Sequence, residues 1–115
     1  MSLRVVIVDD HERFRAQAAE LLRLELFTVV GDSDTAAGGV ELSRRLAPDI
    51  VLLDVGLPDA SGFDIVPAMR ATGAAVVLTS SRSATDYGRR VVDSGAEGFI
   101  NKDELTGEAI RSLLR

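Results

Sequence analysis

Five polar residue types stand directly after apolar runs in this sequence. Asp9 and Asp10 follow Val5-Val6-Ile7-Val8, and Asp54 follows Ile50-Val51-Leu52-Leu53. Thr79 and Ser80 end the run Val76-Val77-Leu78, and Asn101 and Lys102 follow Gly98-Phe99-Ile100. Aspartates gathered at one place repel one another, and at neutral pH only protons or a cation can absorb their charge. Oxygen donors without sulfur point to Mg²⁺, which takes one or two carboxylates, a carbonyl and several waters and leaves positions for phosphate oxygens. Lys102 would neutralise developing negative charge and Thr79 would donate a hydrogen bond, so the set describes a phosphoryl-binding site. Carboxylates can also be nucleophiles that form aspartyl phosphates, which makes one of the aspartates a candidate acceptor.

Each residue alone has a plainer reading. Asp10 suits the N-cap of a following helix, Thr79 is an ordinary strand-end hydroxyl, and an isolated lysine is usually a solvated surface charge. The conjunction is what argues for a site, since every member falls after a different run. Lys102 carries extra weight because it is the single lysine among 13 basic residues, the other twelve being arginine. A compact ammonium can approach a phosphoryl oxygen as a point charge in a way a planar guanidinium cannot. His11 is the only histidine, too few for a histidine-based metal cluster, and reads as a helix-start residue near the acidic pocket. No glycine-rich loop follows the first apolar run, which opposes a dinucleotide or P-loop reading.

The runs at 5–8, 50–53 and 76–78 are short, continuous and rich in β-branched residues, as parallel strands covered on both faces are. Phe27-Thr28-Val29-Val30 and Gly98-Phe99-Ile100 are weaker strands of the same kind. Between them lie segments of helical period. Phe14, Ala18, Leu21 and Leu22 mark the first, and the second runs from about Asp34 to Leu46, ahead of Pro48. A third follows Gly62 and stops at Gly73, with Pro67 tolerable near its first turn. Ser83–Ser94 and Glu104–Leu114 supply two more. Gly88 inside the fourth helix should weaken it by roughly 1 kcal/mol relative to alanine. Five strand–helix units imply right-handed crossovers and one doubly wound α/β domain over residues 1–115, with a five-stranded parallel sheet in the flavodoxin-like order 2-1-3-4-5 and helices on both faces. Ligands bind such sheets beyond the carboxyl ends of the strands, where strand order reverses. In this order strands 1 and 3 are neighbours, so Asp9, Asp10 and Asp54 converge there with Thr79 and Lys102 beside them.

Composition narrows the remaining classes. With no cysteine, disulfide scaffolds, thiol nucleophiles and cysteine-ligated metals drop out. A net charge of -5 without an Arg/Lys stripe opposes direct nucleic-acid binding by this segment. No apolar run approaches the ~18 residues of a membrane span, and no signal peptide opens the chain. The expectation is a cytoplasmic segment without membrane contact.

Taken together, Val5–His11, Leu53-Asp54-Val55-Gly56-Leu57-Pro58-Asp59-Ala60-Ser61-Gly62-Phe63-Asp64, Leu78-Thr79-Ser80 and Gly95–Lys102 resemble the receiver (CheY-like) domain of two-component response regulators across essentially the whole chain. Asp-Asp-His followed by Phe14-Arg15, and Lys102-Asp103, look like the NarL/FixJ subfamily. The resemblance implies that Asp54 accepts phosphate from a sensor histidine kinase or a histidine-containing phosphotransfer protein. It implies Mg²⁺ held by Asp10, Asp54 and the Gly56 carbonyl, with Asp9 on metal-bound water, and phosphoryl oxygens bound by Thr79 and Lys102. Phe99 would be the aromatic switch residue, turning inward as Thr79 moves. The output face would be the fourth helix, fifth strand and fifth helix, including Arg82, Tyr87, Arg89 and Arg90. A homodimer and a C-terminal DNA-binding output domain outside this chain are partners the family allows. Gly56 departs by offering no side chain beside the site, which bears on water access and phosphate lifetime. The competing readings are a small Mg²⁺-dependent phosphatase or phosphotransferase using an aspartyl phosphate, a receiver-like scaffold that takes no phosphate, and, more weakly, an FMN carrier.

Overall fold

The computed structural model describes residues 2–115. Its elements run β1 (Arg4–Val8), α1 (Glu12–Leu24), β2 (Thr28–Ser33), α2 (Ala36–Leu46), β3 (Ile50–Asp54), α3 (Gly62–Arg70), β4 (Ala75–Ser80), α4 (Arg90–Asp93), β5 (Gly98–Asn101) and α5 (Gly107–Leu113). Short 3₁₀ turns at Ala84–Asp86 and Lys102–Glu104 precede α4 and α5. All pairings are parallel and the strand order is β2-β1-β3-β4-β5, as the apolar runs predict.

The period of two along each strand sorts the apolar side chains onto two faces. Val6, Val8, Val51, Leu53, Val76 and Leu78 pack with Val40 of α2 and Phe63, Val66 and Met69 of α3. Val5, Ile7, Ile50, Leu52 and Val77 pack with Ala18 and Leu22 of α1 and Ile110 of α5. Every residue of β3 is buried, so truncating Leu52 or Leu53 to alanine would cost about 2–5 kcal/mol.

Helix ends follow local chemistry. Thr35 caps α2 through Gly38 N–H, and Asp59 reaches back from the loop after β3 to accept from Ala36 and Ala37 N–H at 2.8 and 3.0 Å. Those two amide bonds hold the Asp59 carboxyl below its usual range. At the start of α3, a Cβ on Gly62 would collide with the Asp54 carbonyl. Only glycine lets that turn pass so close under the strand end.

Four expectations need correction. Pro67 lies in the second turn of α3, and the helix runs through it to Arg70; the missing N–H removes one helical bond without stopping the coil. The helix expected over Ser83–Ser94 is broken. Gly88 adopts φ +58, between the Ala84–Asp86 turn and the four residues of α4, because a left-handed residue ends a helical turn. The fifth helix begins at Gly107 rather than Glu104, with Thr106 as its N-cap. The cap of α1 is His11, not Asp10.

Candidate functional site

The parallel register puts the site together. Asp54 and Thr79 are paired neighbours on β3 and β4, and Ser80 pairs with Asn101 on β5, so Lys102 emerges one strand further along the same sheet edge. Val8 pairs with Leu53, which brings Asp9 and Asp10 beside Asp54. Asn101 shapes the lysine's turn. Its side chain accepts from Asp103 N–H at 2.9 Å and donates to the Arg82 carbonyl at 3.1 Å.

Asp9, Asp54 and Thr79 are at most 4% exposed, whereas Asp10 is exposed. Lys102 Nζ lies 2.7 Å from Asp9 Oδ2, 3.6 Å from Asp54 Oδ1 and 4.6 Å from the centroid of the Phe14 ring. The lysine is thus held by two carboxylates and an aromatic face. At 2.7 Å its contact with the buried Asp9 Oδ2 is a short, charge-assisted one. Thr79 Oγ1, by contrast, is buried and has no hydrogen-bond partner among the described residues. Such groups normally find partners, so the Thr79 hydroxyl is free to donate to a bound group.

Burial pushes the Asp54 carboxyl up to about 6, and neighbouring Asp9 adds to the rise; Lys102 and the Gly56 amide oppose it, and Asp10 contributes less. One ligand atom each from Asp9, Asp10, His11 and Asp54 lies within 4.8 Å of the others. Excess negative charge and oxygen donors at that spacing fit a hard divalent cation. Gly56 is exposed beside them and its amide faces the Asp54 carboxylate.

All five residues read from the sequence as the phosphoryl set therefore meet at one sheet edge. Phe99 lies away from them, half-buried in the cluster of the α3 face. The sequence reading put His11 at a helix start near the acids without showing its contacts, and it missed Phe14 and Tyr87 as neighbours. His11 turns its ring into the acids, 2.8 Å from Asp9 Oδ1, and Phe14 lies under the lysine. Tyr87 packs between Phe63 and Phe99, with ring centroids 5.2 and 5.8 Å away, and its hydroxyl sits 2.6 Å from Ser80 Oγ. For His11 the signal was available in the two-residue spacing from Asp9, which permits an Asx turn.

Comparison with known proteins agrees with this geometry. A family model described as the response regulator receiver domain matches residues 5–114. The nitrate/nitrite response regulator protein NarP of Escherichia coli is 35% identical over 95% of this chain and 54% of its own. The virulence factors putative positive transcription regulator BvgA of Bordetella pertussis is 31% identical over 95% of this chain and 53% of its own. The chain spans about half the length of the curated relatives it matches. Among solved structures, the signal receiver domain of NarL from Mycobacterium tuberculosis superposes with a TM-score of 0.85 at 32% identity, covering 98% of this chain and 94% of that one.

Proposed function

The chain belongs to the response regulator receiver domain family, a family of phosphoacceptor signalling domains, and on that footing we propose that Asp54 is the acceptor and residues 1–115 form one receiver domain. The observation that carries the assignment is a carboxyl that is almost wholly buried, faces Lys102 at 3.6 Å and lies one strand from the unpartnered Thr79 hydroxyl. An Asp54 oxygen attacks the phosphorus of a phosphohistidine on a kinase or phosphotransfer partner. The P–O bond forms as the P–N bond breaks, and the electron pair leaves on the imidazole nitrogen, which takes up a proton. Lys102 turns from Asp9 towards the incoming phosphoryl oxygens, and Thr79 donates to another of them. Asp9, Asp10, Asp54 and the Gly56 carbonyl would hold Mg²⁺, which when bound neutralises charge on the transferring group.

The product is a changed surface rather than a released molecule, which sets this reading apart from a phosphatase. Movement of Thr79 towards the phosphoryl group lets Phe99 turn inward beside Tyr87, shifting the face made by α4, β5 and α5. The relatives' names, and their doubled length, support a transcription-regulating output module beyond this chain and a cytoplasmic setting. That face would serve the module or a second copy. Among the described residues no helix is long and apolar enough to cross a membrane. Incubation with Mg²⁺ and a small acyl phosphate, followed by intact mass measurement, tests the acceptor: the wild-type chain gains one phosphoryl group and Asp54→Asn gains none. Equal labelling of both would overturn the assignment. Rapid turnover of a phosphorylated metabolite would favour the phosphatase reading.

A further inference from the structure

The phosphoryl reading leaves His11 without a role, yet its Nδ1 lies 2.8 Å from Asp9 Oδ1, 3.2 Å from Asp10 Oδ1 and 4.0 Å from Asp54 Oδ2. Around an octahedral ion with bonds of about 2.1 Å, adjacent donors are about 3.0 Å apart and opposite donors about 4.2 Å. The nitrogen thus stands at coordination-shell distances from three carboxylate oxygens, and its 2.8 Å contact with Asp9 is a hydrogen bond that a bound ion would replace. The backbone fixes that placement. His11 is the N-cap of α1 in extended conformation, and its N–H donates to Asp9 Oδ1 at 2.8 Å, so the ring stays over the carboxylate. Lys102 holds the other Asp9 oxygen at 2.7 Å and leaves Oδ1 facing the cluster, and its 3.4 Å contact with His11 Nδ1 is one that a bound ion would displace.

Imidazole contributes little to a hard ion but suits Ni²⁺, Co²⁺ and Zn²⁺, whose affinity for nitrogen donors rises along the first transition row. We propose that His11 Nδ1 is a ligand of this metal site and biases it towards divalent transition ions over Mg²⁺. This deepens the metal assignment made above and rests on it. A purely oxygen site would discriminate among these ions less. The ring is 64% exposed, so its removal opens no cavity in the core.

Titration calorimetry of tag-free protein with NiCl₂ and with MgCl₂, in a buffer that does not chelate, tests the proposal on wild type, His11→Gln and Asp10→Asn. His11→Gln should weaken Ni²⁺ binding by about tenfold or more while changing Mg²⁺ binding by less than about threefold. The visible absorption bands of bound Co²⁺ should shift in the same variant, because a nitrogen ligand has been replaced. Asp10→Asn should weaken both ions, which places them in this site. Equal changes for Ni²⁺ and Mg²⁺ in His11→Gln, or an unaltered Co²⁺ spectrum, overturn the role of His11 and leave the metal site standing. Failure of the wild-type chain to bind either ion overturns the metal site itself.

Discussion

Asp54 shows how a buried acid ties chemistry to stability. Its folded value is about 6 against 3.8 for the ordinary group. Between those pH values the folded chain holds a proton that the unfolded chain has released, so stability falls as pH rises through the window. Without divalent cation, Asp54→Asn should therefore unfold at nearly the same temperature as wild type near pH 4 and at a higher one at pH 7. With solvent screening the gap is on the order of 1–2 kcal/mol. Thermal melts across that range check it, and a gap that does not grow with pH would sink the electrostatic account. Lys102 tests geometry rather than charge. Between Asp9, Asp54 and the Phe14 ring there is room for a compact ammonium, whereas a guanidinium must spread a planar fork. Lys102→Arg should still accept phosphate on Asp54 but fail to transmit it, read as phosphoryl mass gain without change in the environment of Tyr87. The sequence made both residues legible through one property each, position after a strand and compositional rarity. It placed His11 near the acids but did not show its ring turned into them or Phe14 under the lysine, because side-chain direction at a helix start depends on which residue caps it.

The segment from Ala84 to Asp93 is the element where sequence and structure part most. Tyr87 and Val91 stand four apart and promise a helix face, and both do pack on the α3-side cluster. Val92 is 77% exposed, however, and Gly88 breaks the coil at φ +58. Periodicity registers which side chains are buried but not whether the backbone between them stays helical, and one glycine decides that. Few backbone bonds and little burial predict low local stability. Amides of residues 84–94 should exchange markedly faster than those of α1, and protection equal to α1 would contradict the break. Tyr87 is the only tyrosine in a chain without tryptophan, so tyrosine emission and near-ultraviolet dichroism at its band report this segment. The signal should change when wild type is phosphorylated and stay constant in Asp54→Asn. Strands were legible for the opposite reason. A run buried on both faces, like β3, has no competing pattern, and α3 survives Pro67 because Val66 and Met69 remain anchored at 0% exposure.

At the scale of the molecule, the charge of -5 is unevenly placed. The sheet order gathers Asp9, Asp10 and Asp54 at one edge, where Lys102 pairs with Asp9 and Asp54. Two hydrophobic layers on opposite faces fix the strands that carry these groups, so repulsion at the edge cannot relax by spreading them. A divalent ion that binds the folded edge and not the unfolded chain must then raise stability by mass action, by about 1.4 kcal/mol when its concentration is ten times its dissociation constant. For a domain of this size that corresponds to a rise in melting temperature of about 4–7 °C. Screening alone predicts something different, since NaCl at the same ionic strength weakens repulsion between exposed charges but acts little on groups as buried as Asp9 and Asp54. MgCl₂ should therefore raise the melting temperature, excess chelator should return it to the starting value, and matched NaCl should reproduce only a small part of the rise. Asp10→Asn should remove most of the MgCl₂ effect while leaving the NaCl effect in place. An equal response to the two salts would mean that the acids are merely a crowded surface, and the cation would lose its place in the scheme.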